Sequence, residues 1–84
     1  MIFKDFDAFS NKLYFLWSSY GLIQYSEETN IFSLFSIQHP ELSKKINIYK
    51  QNFYITYEIG KEDFVVEYFF IGQTLYQNKI FYGQ

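Results

Sequence analysis

Nucleophilic catalysis needs a nucleophile with a base within reach, and this sequence offers little of either. It holds one histidine, His39, and no cysteine. His39 stands directly before Pro40, at a boundary between elements, and is read as a surface or capping residue. Ser18, Ser19 and Ser43 carry no elbow motif around them. The acidic pairs Glu27-Glu28 and Glu62-Asp63 lack the alternating ligands and glycine of a calcium loop, so no metal site is expected. Gly21, Gly60, Gly72 and Gly83 each fall at an expected turn or end, and none builds a phosphate cradle. Glu58 and Glu67 share a face of an expected hairpin, but acid–base use of a carboxylate pair needs a cleft that so short a chain hardly supplies. No catalytic residue, cofactor or metal is assigned, and the chain is read as not an enzyme. The rival enzyme reading depends on His39, so an activity untouched by His39→Ala would remove its only general base.

The surplus is aromatic. Eleven Phe, nine Tyr and one Trp make up 25% of the 84 residues. Each buried aromatic withdraws about 150–250 Å² from water, enough to build a core without disulfides. The absence of cysteine favours a reducing compartment, most simply the cytoplasm. All seven basic residues are Lys, against nine Asp and Glu. Arginine is the preferred reader of phosphate and guanine, so direct nucleic-acid binding is not expected. Tyr54 and Phe69 could stack bases, but Glu58 and Glu67 beside them would repel phosphate. Heavy use of Lys, Asn, Ile, Phe and Tyr matches AT-rich codons, pointing to a low-GC bacterium or its mobile elements. The longest apolar run spans 13–17, far short of the ~20 residues that cross a bilayer, so no membrane role is expected. Asp5 and Asp7 also argue against a signal peptide.

The elements that position these residues are read from periodicity. Residues 5–20 fit an amphipathic helix: Phe6, Phe9, Leu13, Leu16, Trp17 and Tyr20 fall on one face at about 100° per residue. Asp5 or Asp7 would cap its start and Gly21 its end. Phe15 alone falls on the far side, with Lys4, Asn11 and Ser18. Residues 22–39 favour a hairpin around Glu27-Glu28-Thr29-Asn30 over a helix capped by Ser26. Residues 40–51 form a connector, either a helix begun at Pro40 or a strand over 46–49. The clearest pattern is a second hairpin. Phe53, Ile55, Tyr57 and Ile59 alternate with polar partners, as do Phe64, Val66, Tyr68 and Phe70. With Gly60-Lys61-Glu62-Asp63 as its turn, Ile59 pairs with Phe64 and Phe53 with Phe70, placing all eight on one face. Gly72-Gln73 then leads to a last segment over 75–82, an edge strand or a terminal helix. No internal repeat is visible. The expected fold is a single small α+β domain over 1–84, with the N-terminal helix packed on one face of an antiparallel sheet in two layers.

Such a fold leaves Tyr54, Val65 and Phe69 on the outer sheet face among Glu58, Glu67, Glu62 and Asp63, with Phe15 outside the helix stripe. Aromatics rimmed by polar groups mark an interface. These eight residues are therefore the expected partner-binding set. The expected function is a non-catalytic inhibitor that binds a larger protein. It would be an immunity-type protein, or a phage or mobile-element anti-defence protein, occluding a bacterial enzyme such as a nuclease, with its carboxylates steering the approach. The alternative is a structural homo-oligomer, at its simplest a homodimer, that buries its outer sheet faces and is dissociated by Phe69→Glu.

Overall fold

The computed structural model describes residues 2–82, so Gly83 lies outside the described residues. Among the described residues there is no α-helix. The described residues form eight strands: β1 Phe3–Phe9, β2 Lys12–Trp17, β3 Gly21–Ser26, β4 Ile31–Phe35, β5 Ser43–Tyr49, β6 Asn52–Ile59, β7 Glu62–Ile71 and β8 Thr74–Tyr82. A short 3₁₀ turn, Pro40–Leu42, is the only helical element described. The strands make two antiparallel four-stranded meanders, ordered β1-β2-β3-β4 and β5-β6-β7-β8. The expected α+β fold is thus corrected to an all-β one.

The N-terminal helix fails for a definable reason. Ser10 and Asn11 both adopt left-handed conformations, with φ of 54° and 62°. Two consecutive positive φ values make the two-residue turn whose twist matches a hairpin. Phe9 therefore pairs with Lys12, and Phe6 with Phe15. β2 is apolar on both faces, so its run over 13–17 shows no period of two and mimics a helix stripe. Asp5 and Asp7, expected as helix caps, instead close a sheet edge. The Ile46 N–H donates to Asp5 Oδ2 at 3.0 Å, and the Ile48 N–H to Asp7 Oδ2 at 2.8 Å. An open strand edge is a template for unwanted pairing, and these carboxylates occupy the one on β5.

Elsewhere the sequence reading holds more closely. Residues 27–30 do link two strands, and 46–49 lie in a strand. The last segment is a strand rather than a helix. The β6–β7 hairpin keeps its predicted faces but slips by two residues. Gly60, at φ 63°, permits a two-residue turn, so Ile59 pairs with Glu62, Tyr57 with Phe64, Ile55 with Val66 and Phe53 with Tyr68. Because the slip is even, the apolar set still faces inward. Ile59 runs past the core and is exposed.

The inner faces of the two sheets make the core. Tyr14, Leu16 and Leu22 of the first sheet meet Ile46, Phe53, Ile55, Tyr57, Val66 and Tyr68 of the second. Tyr14 and Phe53 pack edge to face at 4.6 Å, as do Phe35 and Phe70 at 4.8 Å. At the floor of the core the Tyr57 and Tyr68 hydroxyls lie 2.8 Å apart, and the Gln38 N–H donates to Tyr68 Oη at 3.3 Å.

The two meanders share strand order and hairpin register, a repeat that the sequence reading does not show. The β1–β2 and β5–β6 hairpins share one register at a spacing of forty residues: Phe6↔Phe15 matches Ile46↔Ile55, and Asp7↔Tyr14 matches Asn47↔Tyr54. Each has a bulge at the same place, between Phe3 and Asp5 and between Ser43 and Lys45. Each turns on two positive-φ residues, Ser10-Asn11 and Lys50-Gln51. The next strands continue the match, since Leu16↔Leu22 corresponds to Thr56↔Val65 and Tyr14↔Gln24 to Tyr54↔Glu67. The polar pair is also repeated. Gln24 Nε2 donates to Tyr14 Oη at 2.9 Å, and Tyr54 Oη donates to Glu67 Oε2 at 2.7 Å.

Candidate functional site

The outer face of the first sheet is the most unusual surface of the molecule. Strand alternation sends Phe3, Phe6 and Ala8 of β1 outward. Beside them stand Leu13, Phe15 and Trp17 of β2, Ile23 and Tyr25 of β3, and Phe32 and Leu34 of β4. None of these ten positions carries a charge. Phe3 contacts the rings of Phe6, Phe15 and Trp17 at 6.5, 6.2 and 5.3 Å, so the face is a continuous aromatic cluster. Yet Phe3 is 45% exposed, Phe6 55%, Phe32 67% and Leu34 59%. With 150–250 Å² in a whole aromatic side chain, these four alone leave on the order of 400 Å² in water. Leu13, Phe15, Trp17, Ile23 and Tyr25 are only half-buried and enlarge it further. Contiguous apolar patches of a few hundred Å² or more on soluble proteins mark places where something binds.

The partner-binding set expected from sequence divides between two surfaces. Tyr54, Glu58, Val65, Glu67, Phe69 and Asp63 share the outer face of the second sheet, with Glu62 at its turn. Phe15 is separate from them, at the middle of the outer face of the first sheet. On the second sheet most polar groups are engaged within the chain. Glu67, 9% exposed, receives the Tyr54 hydroxyl and, at 2.6 Å, the Asn78 side-chain N–H. Those two bonds, Tyr54 first, hold its carboxyl below the usual glutamate range. Glu58 and Asp63 stand directly opposite each other, a repulsive pairing relieved by Lys44. The Lys44 ammonium lies 2.9 Å from Asp63 and 4.0 Å from Glu58. Phe69 stacks on Tyr76 at 5.9 Å. Val65 sits between Thr56 and Phe81 as the apolar centre of this face.

The Glu67 arrangement has a measurable consequence. A carboxyl whose folded pKa is depressed contributes stability that is present above its unfolded value, about 4.3, and lost as pH falls through the folded one. Tyr54→Phe removes the larger cause. The carboxyl resonance of Glu67 should then titrate at higher pH, and acid unfolding should begin earlier. A titration curve unchanged by the substitution would mean that the Tyr54 bond does not act on Glu67.

Two other places gather polar side chains. A cleft of about 360 Å³ opens between the sheets, lined by Lys12, Tyr14, Gln24, Ser33, Phe35 and Phe70, with Gly72 and Gln73 at its mouth. Tyr14 and Gln24 there are already bonded to each other. His39, at φ 44°, places Nδ1 3.4 Å from Glu41 Oε2, and both side chains are exposed. Among the described residues no three His, Asp or Glu side chains converge as a metal site requires, and no helix is long and apolar enough to cross a membrane. No protein-family model matches the chain, and no curated protein or solved structure matches it.

Sequence reasoning found one of the ten outward residues of the first sheet, Phe15, as a break in a helix stripe. The signal for the others was the Ser10-Asn11 turn, which sets β1 against β2 and sorts 3–17 into two faces.

Proposed function

We propose that this chain acts by binding protein through the outer face of its first sheet, without catalysis. One observation supports this: a charge-free sheet face of ten apolar residues, four of them strongly exposed. Left in water, such a face is an aggregation hazard; covered by a protein, it is the apolar centre of an interface. Of the two forms expected from sequence, association through an outer sheet face draws on this observation. Occlusion of a larger enzyme draws on Glu58, Glu62 and Asp63 at the β6–β7 turn, which stay exposed and could steer a basic target. A cytoplasmic setting belongs to this reading because a cysteine-free small fold suits a reducing compartment.

Phe15→Glu tests it. The substitution places a charge in the middle of the face while leaving the inner core untouched. Two differently tagged copies are co-expressed, and the proteins retained by one tag are compared with wild type. Loss of every retained protein, with an unchanged circular-dichroism spectrum, is expected. Retention equal to wild type would remove the first sheet's outer face as the binding surface.

A further inference from the structure

We infer that copies of this chain stack head to tail, the outer face of one copy's second sheet seated on the outer face of the next copy's first sheet, and that the stack closes into a ring. This rests on the reading that the first sheet's outer face meets a protein, and it identifies that protein as a second copy.

The template lies inside the chain. Leu13 and Phe15 on the open face of the first sheet correspond to Phe53 and Ile55 of the second. Phe53 and Ile55 are buried, because Tyr14, Leu16 and Leu22 of the first sheet cover them. The equivalents of those three covering residues are Tyr54, Thr56 and Val65, on the outer face of the second sheet. Each copy therefore has one face that needs a cover and one whose residues hold the register of the cover already used, with Thr56 in the place of Leu16. Phe35, which packs into the internal interface, corresponds to Phe81, which is 46% exposed. The seam is partly reproduced: Asn47 stands in the place of Asp7 and keeps an acceptor, while Lys45 stands in the place of Asp5 and brings none.

Size and shape agree with this occupant. The four strongly exposed residues alone supply on the order of 400 Å² of apolar surface, about half of the roughly 800 Å² per partner that a standard interface buries. The two sheets are not parallel plates. β1 and β5 are bridged by Asp5 and Asp7, whose acceptors advance in step with Ile46 and Ile48, so these strands run in the same direction. Away from that seam the sheets part to form the cleft beside Ser33 and Gly72. Wedges repeated by one rotation close into a ring, as heterologous interfaces do when the rotation closes. Four-stranded meanders packed radially around an axis are the plan of a β-propeller, which closes with about four to eight of them, so two per copy gives about two to four copies.

Two variants test the arrangement. Phe15→Glu spoils the first sheet's outer face, and Val65→Lys spoils that of the second; both side chains point away from the core. Purified separately, each is expected to be monomeric in native mass measurements. Mixed, at concentrations well above those at which wild type assembles, they should form a one-to-one dimer and nothing larger, because one good pair of faces remains. A Val65→Lys chain that still self-associates would show a face pairing with its own copy and overturn the inference. So would a mixture that stays monomeric, or a wild-type chain that forms open polymers. If Phe15→Glu abolishes capture from cells but the purified wild type is a monomer, the head-to-tail inference fails while the binding face stands. If Phe15→Glu changes neither, the binding face fails as well.

Discussion

Ile55→Ala should lower the unfolding free energy by about 2–5 kcal/mol, the range for emptying a buried aliphatic site. The same change at Phe15, the equivalent position of the other meander, should cost the isolated chain no more than about 1 kcal/mol. The two residues hold matching registers, Phe6↔Phe15 and Ile46↔Ile55. They differ in what lies over them. Ile55 is 0% exposed beneath the first sheet, whereas Phe15 stays half-buried on an open face, between Phe6 and Ile23 of the neighbouring strands. Urea unfolding at high dilution measures the difference. At higher concentration Phe15→Ala should lose stability relative to wild type, because association adds to the apparent stability of a chain that binds its own copies. Equal costs at high dilution would mean that something within the chain covers Phe15.

Alkali should unfold the protein through its buried phenols. Burial, aided by the Tyr68 hydroxyl, pushes Tyr57 far above the usual tyrosine range, and burial also raises Tyr14. Unfolded tyrosines ionise near pH 10. The contribution of a group raised in the folded state is fully present below that pH and is lost as pH rises above it. The Tyr57 phenol should remove about 1.4 kcal/mol per pH unit beyond that point. The Tyr57 and Tyr14 phenols should therefore contribute tyrosinate absorbance only with the loss of structure. Tyr57→Phe should cost about 1 kcal/mol at neutral pH, the worth of one hydrogen bond, and should make alkaline unfolding less steep. Ionisation of Tyr57 near pH 10 without unfolding, read as the difference in tyrosinate absorbance between wild type and Tyr57→Phe, would contradict its burial against Tyr68.

The second half of the chain was legible because β6 and β7 alternate cleanly, and an even slip in register leaves their faces intact. The first half was not, and the repeat explains why. In β6 one face meets the core and the other carries Tyr54, Thr56 and Glu58, so a period of two survives. In β2 both faces are apolar, because the outward one is built like an interior, and the alternation vanishes. The repeat itself was hidden by substitution. At the forty-residue spacing Tyr14 matches Tyr54 and Lys4 matches Lys44, but Leu16 matches Thr56 and Asp5 matches Lys45. Unequal loops between the later strands then shift the spacing. Alternation places the outer face of the second sheet as a face, but not the bonds of its carboxylates to Tyr54, Asn78 and Lys44. Pairing Tyr54 with Glu67 depends on the two-residue turn at Gly60, which composition alone does not distinguish from a four-residue one.

The most direct single measurement is the native mass of the purified wild-type chain across a dilution series. A chain of 10.2 kDa whose outer faces match as described should give one discrete species of about two to four copies, dissociating only at low concentration. A mass of one chain at every concentration would contradict the stacking of copies and leave the apolar face of the first sheet to a different protein.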